Sequence, residues 1–197
     1  MLAGTKAQHR EALLAARRAV PDAIRAADAC AFTEHLGEIV GPGDTVCAYL
    51  PVGSEPGSPQ LLDRLRELCG RVLLPVTRFG ADGEPLALLW GVYVPGGLVA
   101  ARFGLREPAE PWLPSSAVAE ADTVLVPALA VDRNGVRLGR GGGFYDRSLA
   151  LCRPGARLVA VVRDDEVVDE LPREAHDVRM THALTPKHGL FALADTA

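Results

Sequence analysis

The chain has 197 residues, a formal net charge of −4 and an apolar content of 48%, as expected of an ordinary globular protein. The negative charge disfavours nucleic acid and anionic membrane surfaces as partners. No apolar run reaches the roughly 18 residues that a membrane span needs. The length suits a single domain over residues 1–197.

The four cysteines indicate a reducing compartment. Cys30, Cys47, Cys69 and Cys152 are widely spaced and form no Cys-x-x-Cys pair, so nothing supports a zinc or thioredoxin-type site. The first residues, 1–16, mix charges and lack the apolar core of a secretory signal. We therefore expect a cytoplasmic protein whose cysteines are mostly buried apolar side chains rather than disulfides.

The first part of the chain predicts two helices. Residues 6–18 are rich in alanine, and Pro21 ends the pattern. Lys6 and Arg10 are four residues apart and share one face of this helix, which leaves open whether they form a solvated basic face or bind a ligand. A second helix is predicted over residues 22–39.

A strand-helix-strand unit follows. Residues 45–50 form an apolar run of strand length, and the next helix begins with Ser58 as its N-cap and Pro59 at its first position. Gly70 ends this helix, and residues 71–76 form the second strand. Short connections of this kind are typical of a parallel sheet.

Glu55 lies in the loop that leaves the carboxyl end of the first predicted strand. Open α/β sheets bind their ligands on that side, although a loop glutamate can also be merely solvated. Residues 86–94 are predicted to form one strand or a pair of short strands. Further strands are predicted at 123–131 and 157–162, with an edge strand at 178–184. The fold class that follows is α/β, with a mostly parallel sheet flanked by helices in one three-layer domain.

The most unusual stretch is residues 137–147, Arg-Leu-Gly-Arg-Gly-Gly-Gly-Phe-Tyr-Asp-Arg, between a predicted strand and a short helix expected at 148–152. Glycine permits positive φ and brings no Cβ near a ligand, and the first amides of a helix lack internal partners. Together these features favour a phosphate-binding loop over a plain surface turn. Phe144 follows the last glycine, so the loop is neither a Walker A nor a Rossmann motif.

Charged residues surround this loop. Asp146 lies one turn beyond it, where a carboxylate would hold a hard cation that bridges to phosphate groups, and Arg137, Arg140 and Arg147 add positive charge. The five histidines show no metal-ligand spacing, and the chain has no Gly-x-Ser-x-Gly nucleophile elbow. This combination is typical of a protein that handles ATP rather than one that hydrolyses its substrate with a protein nucleophile.

Together with Asp132 and Gly135, the loop resembles the signature of the 5-formyltetrahydrofolate cyclo-ligase family, also called methenyltetrahydrofolate synthetase. In that family an apolar strand ending in Pro-x-Leu/Val precedes an Asp, a Gly and the run Arg-Leu-Gly-x-Gly-x-Gly-Tyr/Phe-Tyr-Asp. The chain has these residues in the same order. The resemblance extends from Lys6, whose Lys-x-x-x-Arg pattern matches the family's first helix, to about Asp177.

The resemblance implies a magnesium-dependent ligase that uses ATP to convert 5-formyltetrahydrofolate to 5,10-methenyltetrahydrofolate, with release of ADP and phosphate. The residues implied to contact ATP are Lys6, Arg10, Arg137, Leu138, Gly139, Arg140, Gly141, Gly142, Gly143, Phe144 and Tyr145. Those implied to contact the folate are Leu50, Glu55, Phe103, Arg140, Gly141, Gly142, Gly143 and Phe144. Asp146 and Asp177 are implied to bind magnesium. No nucleic acid, membrane or obligate protein partner is implied.

The chain departs from the family pattern at two places. After Glu55 the family has an aliphatic and an acidic residue, where this chain has Pro56-Gly57; after Asp177 it has Val-Asp, where residues 179–182 read Arg-Met-Thr-His. Two other functions stay open. One is a non-catalytic folate- or nucleotide-binding regulator on the same fold, and the other is an isomerase or CoA-transferase relative with a glutamate nucleophile and no use of ATP.

Overall fold

A computed structural model of the chain describes residues 5–174 and 176–194. The helices are α1 (Lys6–Ala19), α2 (Asp22–Glu34), α3 (Pro59–Leu68) and α4 (Phe144–Leu149). The strands are β1 (Thr45–Cys47), β2 (Arg71–Val76), β3 (Leu89–Val92), β4 (Leu98–Ala100), β5 (Arg106–Pro108), β6 (Thr123–Pro127), β7 (Ala130–Asp132), β8 (Arg137–Leu138), β9 (Arg157–Val161), β10 (Val167–Val168), β11 (His182–Thr185) and β12 (Gly189–Ala192). Short 3-10 turns lie at His35–Glu38, Arg102–Gly104, Ser115–Glu120 and Asp164–Glu166.

A seven-stranded sheet in the order β12-β11-β9-β6-β1-β2-β3 forms the centre of the fold. Its five inner strands run parallel to one another, and the two edge strands, β12 and β3, run antiparallel to their neighbours. The predicted α/β class with a mostly parallel sheet is therefore confirmed.

Helices cover both faces of this sheet. Neighbouring strand residues point to opposite faces, so Val46 of β1 packs with Phe32 of α2 and Leu65 of α3, whereas Cys47 packs with Leu149 of α4 on the other side. Two separate apolar clusters, one on each face, make up the main core. Each fully buried Leu or Phe side chain stabilises the fold by roughly 1.5–3 kcal/mol.

Helix α1 begins directly after Thr5, which caps its N-terminus together with Gln8. The hydroxyl of Thr5 accepts a hydrogen bond from the amide of Gln8, and the side chain of Gln8 accepts one from the Thr5 amide at 2.8 Å. This capping box satisfies two amides that the helix itself leaves without partners. The second helix is shorter than predicted, because α2 ends at Glu34 and the chain continues as the 3-10 turn to Glu38.

Two predicted strands are interrupted. Strand β1 ends at Cys47 rather than at residue 50, because the chain then leaves the sheet and folds back, with the Tyr49 hydroxyl donating to the Pro56 carbonyl at 2.8 Å. The run 123–131 splits after Pro127: β6 stays in the main sheet, and β7 enters a second, three-stranded sheet with β8 and β10.

The predicted edge strand at 178–184 is wrong in both extent and position. Strand β11 begins at His182 and lies between β9 and β12, so β12 forms the edge. A hairpin turn after Thr185 reverses the chain, and Gly189 has the positive φ of 64° that this turn requires.

The cysteine prediction holds for two positions. Cys47 and Cys69 are buried, Cys152 is half-buried, and Cys30 is exposed, which contradicts the expectation for that residue; all four are free thiols. Within the described ranges, no helix combines the length and the apolar character that crossing a membrane requires.

Candidate active site

A cavity of about 390 Å³ opens at the carboxyl ends of the parallel strands. Its wall includes Leu50 after β1, Thr77 after β2 and Ala128 after β6, which is the side where open α/β sheets bind ligands. The wall also contains every candidate site residue from the sequence: Lys6, Arg10, Leu50, Glu55, Phe103, Arg137, Leu138, Gly139, Arg140, Gly141, Gly142, Gly143, Phe144, Tyr145, Asp146 and Asp177. Folding thus brings together residues that are up to 171 positions apart.

The glycine-rich loop forms one side of this cavity. Helix α4 begins at Phe144, not at the predicted position 148, and Gly143 precedes it with a φ of 71°. Gly141 has a φ of 91°, and a Cβ there would lie 3.2 Å from the guanidinium carbon of Arg10. Both positions therefore need glycine, for its backbone conformation and, at Gly141, for the close approach of α1.

Helix α1 contributes cations to the same cavity. The Lys6 Nζ lies 2.8 Å from Asp177 Oδ2, and the Arg10 Nε donates a hydrogen bond to the Gly139 carbonyl at 2.9 Å. The Lys6 side chain is only 15% exposed. The alternative of a solvated basic face is therefore wrong for Lys6. The hydrogen bond from Arg10 joins α1 to the glycine loop.

Arg17, which the sequence analysis missed, anchors the other end of α1. Its guanidinium forms a fork to the Glu166 carboxylate at 2.6 and 2.7 Å and a third hydrogen bond to the Ala128 carbonyl. The buried residues of α1 are His9 and Arg17. Polar contacts rather than apolar packing therefore hold this helix against the rest of the fold. Arg17 lies two helical turns after Arg10 and on the same face of α1 as Lys6 and Arg10. Extending that face along the predicted helix would have found it.

Asp146 is paired with Arg137. The Arg137 Nη2 lies 2.8 Å from Asp146 Oδ1, and the same guanidinium donates to the Pro127 carbonyl at the end of β6. The Arg137 Cζ lies 5.7 Å from the centre of the Tyr145 ring. The Tyr145 hydroxyl is buried and has no hydrogen-bond partner among the described residues, and this burial raises the pKa of Tyr145 above its ordinary value.

Asp177 also lines the cavity, and its hydrogen-bond donors differ from those of Asp146. Burial alone would raise its pKa, but the hydrogen bond from Lys6 and the amide of Glu174 outweigh burial, so the pKa of Asp177 lies below its ordinary value. Ligand atoms of Glu174, His176 and Asp177 lie within 4.8 Å of one another. Asp146 is not a member of this group, so the two predicted metal ligands share the cavity without forming one cluster.

Glu55 is half-buried rather than freely solvated. Its side chain is 13% exposed; Oε1 lies 3.2 Å from the Arg140 Nε, and Oε2 accepts a hydrogen bond from the Val52 amide at 2.9 Å. Burial raises the pKa of Glu55, although the Val52 amide and Arg140 act in the opposite direction. The altered residues that follow, Pro56-Gly57, leave Glu55 in the cavity wall.

Aromatic rings form the rim. Phe103 is 75% exposed and has a φ of 59°, a left-handed conformation that is uncommon for a residue with a large side chain. The ring of Phe79 contacts Phe103 at 5.8 Å and Phe144 at 5.3 Å between centroids, in edge-to-face arrangements. Sequence analysis did not single out Phe79, because its role depends on contacts with segments distant in the chain.

Two members of the sequence signature have a structural role instead. Asp132 is 1% exposed; its Oδ1 accepts hydrogen bonds from the amides of Asn134 and Val136, and its Oδ2 accepts one from Leu171. Gly135, in the same turn, has a φ of 82°. This turn joins β7 to β8 and so sets the point at which the chain enters the glycine loop.

The sheet is mostly parallel, and the cavity at its carboxyl edge is lined by a glycine-rich loop, cations and carboxylates. These features define an α/β protein that binds its ligand at the carboxyl edge of the sheet. Comparison with known proteins gives the family. The chain belongs to the 5-formyltetrahydrofolate cyclo-ligase family, whose sequence model matches residues 3–186. It is therefore an enzyme of a ligase family.

Individual relatives agree with this placement. The chain is 61% identical to the 5-formyltetrahydrofolate cyclo-ligase of Mycolicibacterium smegmatis over 189 residues, which cover 96% of this chain and 97% of the relative. It is 31% identical to the Escherichia coli K12 cyclo-ligase over 143 residues, 72% of this chain and 78% of that one. The fold matches Aquifex aeolicus 5,10-methenyltetrahydrofolate synthetase with a TM-score of 0.77 at 24% identity, covering 98% of this chain and 94% of that one.

Proposed function

We propose that the protein converts 5-formyltetrahydrofolate to 5,10-methenyltetrahydrofolate with the consumption of ATP, in the presence of magnesium, and with release of ADP and phosphate. One observation carries the proposal: the cations, the glycine loop and the carboxylates line the same cavity as the candidate folate residues Leu50, Glu55 and Phe103. A cavity that holds both substrates lets the two reacting groups meet without diffusion. We also propose that the protein acts in the cytoplasm.

The reaction needs two bond-forming steps. The formyl oxygen attacks the γ-phosphorus of ATP and ADP leaves, which makes the former formyl carbon electrophilic. The folate N10 then attacks this carbon and loses its proton, and phosphate leaves with the former formyl oxygen. Phosphoryl transfer demands mainly positioning and neutralisation of charge from a protein.

The residues of α1 and of the glycine loop suit that task. Lys6 and Arg10 bring positive charge to the cavity, and the backbone of residues 139–143 lines it beside Arg10. Cations and preorganised amides stabilise charge that develops on phosphate oxygens. Arg137, whose side chain is 6% exposed, adds a charge that burial makes more effective.

Magnesium would be held by Asp146 and Asp177. Carboxylate oxygens are the donors that this hard cation prefers, and both side chains line the cavity. Glu174 and His176 lie next to Asp177, and the glutamate adds a further oxygen donor. When bound, magnesium would neutralise part of the charge on the ATP phosphates.

A glutamate nucleophile of the isomerase or CoA-transferase type is disfavoured by the surroundings of Glu55. Both of its oxygens are engaged, one by Arg140 and one by the Val52 amide. A carboxylate that acts as a nucleophile needs a free oxygen directed at the substrate. A non-catalytic regulator is disfavoured by membership of a ligase family.

The decisive experiment follows the absorbance of the methenyl product. We expect it to appear when 5-formyltetrahydrofolate, ATP and magnesium are all present, and to fail to appear when any one is omitted or when a chelator removes the metal. Product formation without ATP would overturn the proposal, as would ATP binding with no turnover of the folate.

Replacing Lys6 by alanine is expected to raise the KM for ATP about tenfold, which corresponds to ~1.4 kcal/mol of lost binding, and to leave the KM for the folate nearly unchanged. The reason is that Lys6 brings its charge to the side of the cavity formed by α1. Initial-rate measurements with each substrate varied in turn provide the check.

The matched control is Lys187→Ala, because Lys187 is exposed and is the chain's other lysine. It should leave both KM values unchanged. A Lys6→Ala variant with a lowered melting temperature and wild-type KM for ATP would show that Lys6 only holds Asp177 in place.

A further inference from the structure

Glu107 is a buried carboxylate in the cavity wall that the proposed chemistry does not use. It lies on β5, is 7% exposed, and lines the cavity together with Thr77. Its Oε1 accepts two hydrogen bonds from Thr77, one from the amide at 2.8 Å and one from the hydroxyl at 2.6 Å. A carboxylate withdrawn from water to this degree is unfavourable unless its oxygens find donors.

The second oxygen of Glu107 has no such donor. Among the described residues no hydrogen bond reaches Oε2 and no cation pairs with the carboxylate, and this oxygen is not among the fully enclosed unpartnered atoms. Oε2 is therefore reachable, and the cavity that Glu107 lines is where it can be reached. Glu55, the other carboxylate of this region, has both oxygens engaged.

The surroundings of Glu107 combine a close contact between two strands with apolar side chains in the cavity wall. A Cβ on Gly91 of β3 would lie 2.4 Å from the Cβ of Pro108, so β3 and β5 are in direct contact beside Glu107. Thr77, the residue after β2, donates both of its hydrogen bonds to the carboxylate. The wall of the same cavity includes the apolar residues Leu74, Pro75, Leu88 and Leu105. Apolar walls with one fixed carboxylate suit a flat heterocycle that carries an N–H group on its edge.

We propose that Glu107 is a specificity-determining residue, whose Oε2 accepts a hydrogen bond from the 2-amino group of the substrate's pterin ring. The inference rests on the proposed function and assigns one subsite within it. The 2-amino group is a donor on the edge of a flat ring, and a charged acceptor makes this hydrogen bond stronger than a neutral one would. Thr77 holds the carboxylate in the orientation that leaves Oε2 free.

A cycle that combines a protein variant with a ligand variant tests this contact. The protein variant is Glu107→Gln, whose amide oxygen can still accept from Thr77 but whose amide nitrogen replaces the acceptor Oε2. The ligand variant is 5-formyltetrahydrofolate in which a methyl group replaces the 2-amino group. The affinity of each protein for each ligand is measured by calorimetry, without ATP.

The wild-type protein should bind the altered ligand at least about tenfold more weakly than the natural one, the loss expected when a charge-assisted hydrogen bond is removed. Glu107→Gln should bind the natural ligand about as weakly and discriminate little between the two. An unchanged ratio between the two ligands in Glu107→Gln would overturn the inference, whatever the stability of the variant.

Glu120→Gln is the matched control, because it makes the same carboxylate-to-amide change in an exposed pair with Arg71 that lies away from the cavity. It should preserve discrimination between the two ligands. Failure of the wild-type protein to bind 5-formyltetrahydrofolate at all would contradict the proposed function instead, so the two failures are distinguishable.

Discussion

Replacing Asp146 by asparagine is expected to lower kcat by about 100-fold, the size of effect that follows the loss of one preorganised electrostatic contact at a reacting phosphate. The amide keeps the shape of the side chain and loses the charge by which magnesium would be bound. Asp146 lines the cavity at the first turn of α4, directly after the glycine loop. Steady-state rates over a range of magnesium concentrations measure the effect.

The fold of the Asp146→Asn variant needs an independent check, because Arg137 loses its carboxylate partner and its side chain is 6% exposed. Glu120→Gln is a suitable control, since it breaks the exposed pair with Arg71 away from the cavity and should change neither stability nor rate appreciably. A folded Asp146→Asn variant with near wild-type kcat at limiting magnesium would remove Asp146 from the metal site.

Replacing Gly135 by alanine is expected to reduce the free energy of unfolding by about 3 kcal/mol. The left-handed conformation itself costs a residue with a Cβ roughly 1–2 kcal/mol, and here φ is 82°. The remainder comes from a clash, because the Cβ would lie 2.3 Å from the Met180 carbonyl oxygen. That carbonyl belongs to backbone held against the turn, since the Met180 amide donates to the Gly135 carbonyl at 2.7 Å.

Gly155→Ala separates the two contributions. Gly155 has the same φ of 82°, but no atom lies within 4 Å of the position its Cβ would take. Denaturant unfolding should therefore show a loss of about 1–2 kcal/mol for Gly155→Ala and a clearly larger one for Gly135→Ala. Equal losses would mean that the segment at Met180 moves aside without penalty.

The local patterns of the sequence were sufficient for much of the fold and for the glycine loop. Apolar runs of strand length and the Ser58-Pro59 start of α3 depend on neighbouring residues only, so they could be read in order along the chain. The loop at residues 139–143 and Asp146 were recognisable because backbone freedom and a nearby carboxylate are properties of residue type at fixed spacing. Their common cavity agrees with that interpretation.

The burial of charged side chains and the order of the strands depend on partners that are distant in the chain, so only the folded structure shows them. A lysine or glutamate is expected to be solvated when the segment that packs against it is unknown. In the folded chain Lys6 pairs with Asp177, which is far away in the sequence, and Glu55 pairs with Arg140. Likewise β11 is an inner strand only because β12 pairs with it.

Arg17, which sequence reasoning missed, and Glu107, to which it gave no role, have the same explanation. Arg17 pairs with Glu166 across 149 positions, and Glu107 meets Thr77 across 30. Charge alone gave them no distinction from other arginines and glutamates. Their roles come from burial, which makes each unsatisfied polar atom unfavourable and each available partner important, and burial is a property of the folded chain rather than of its local pattern.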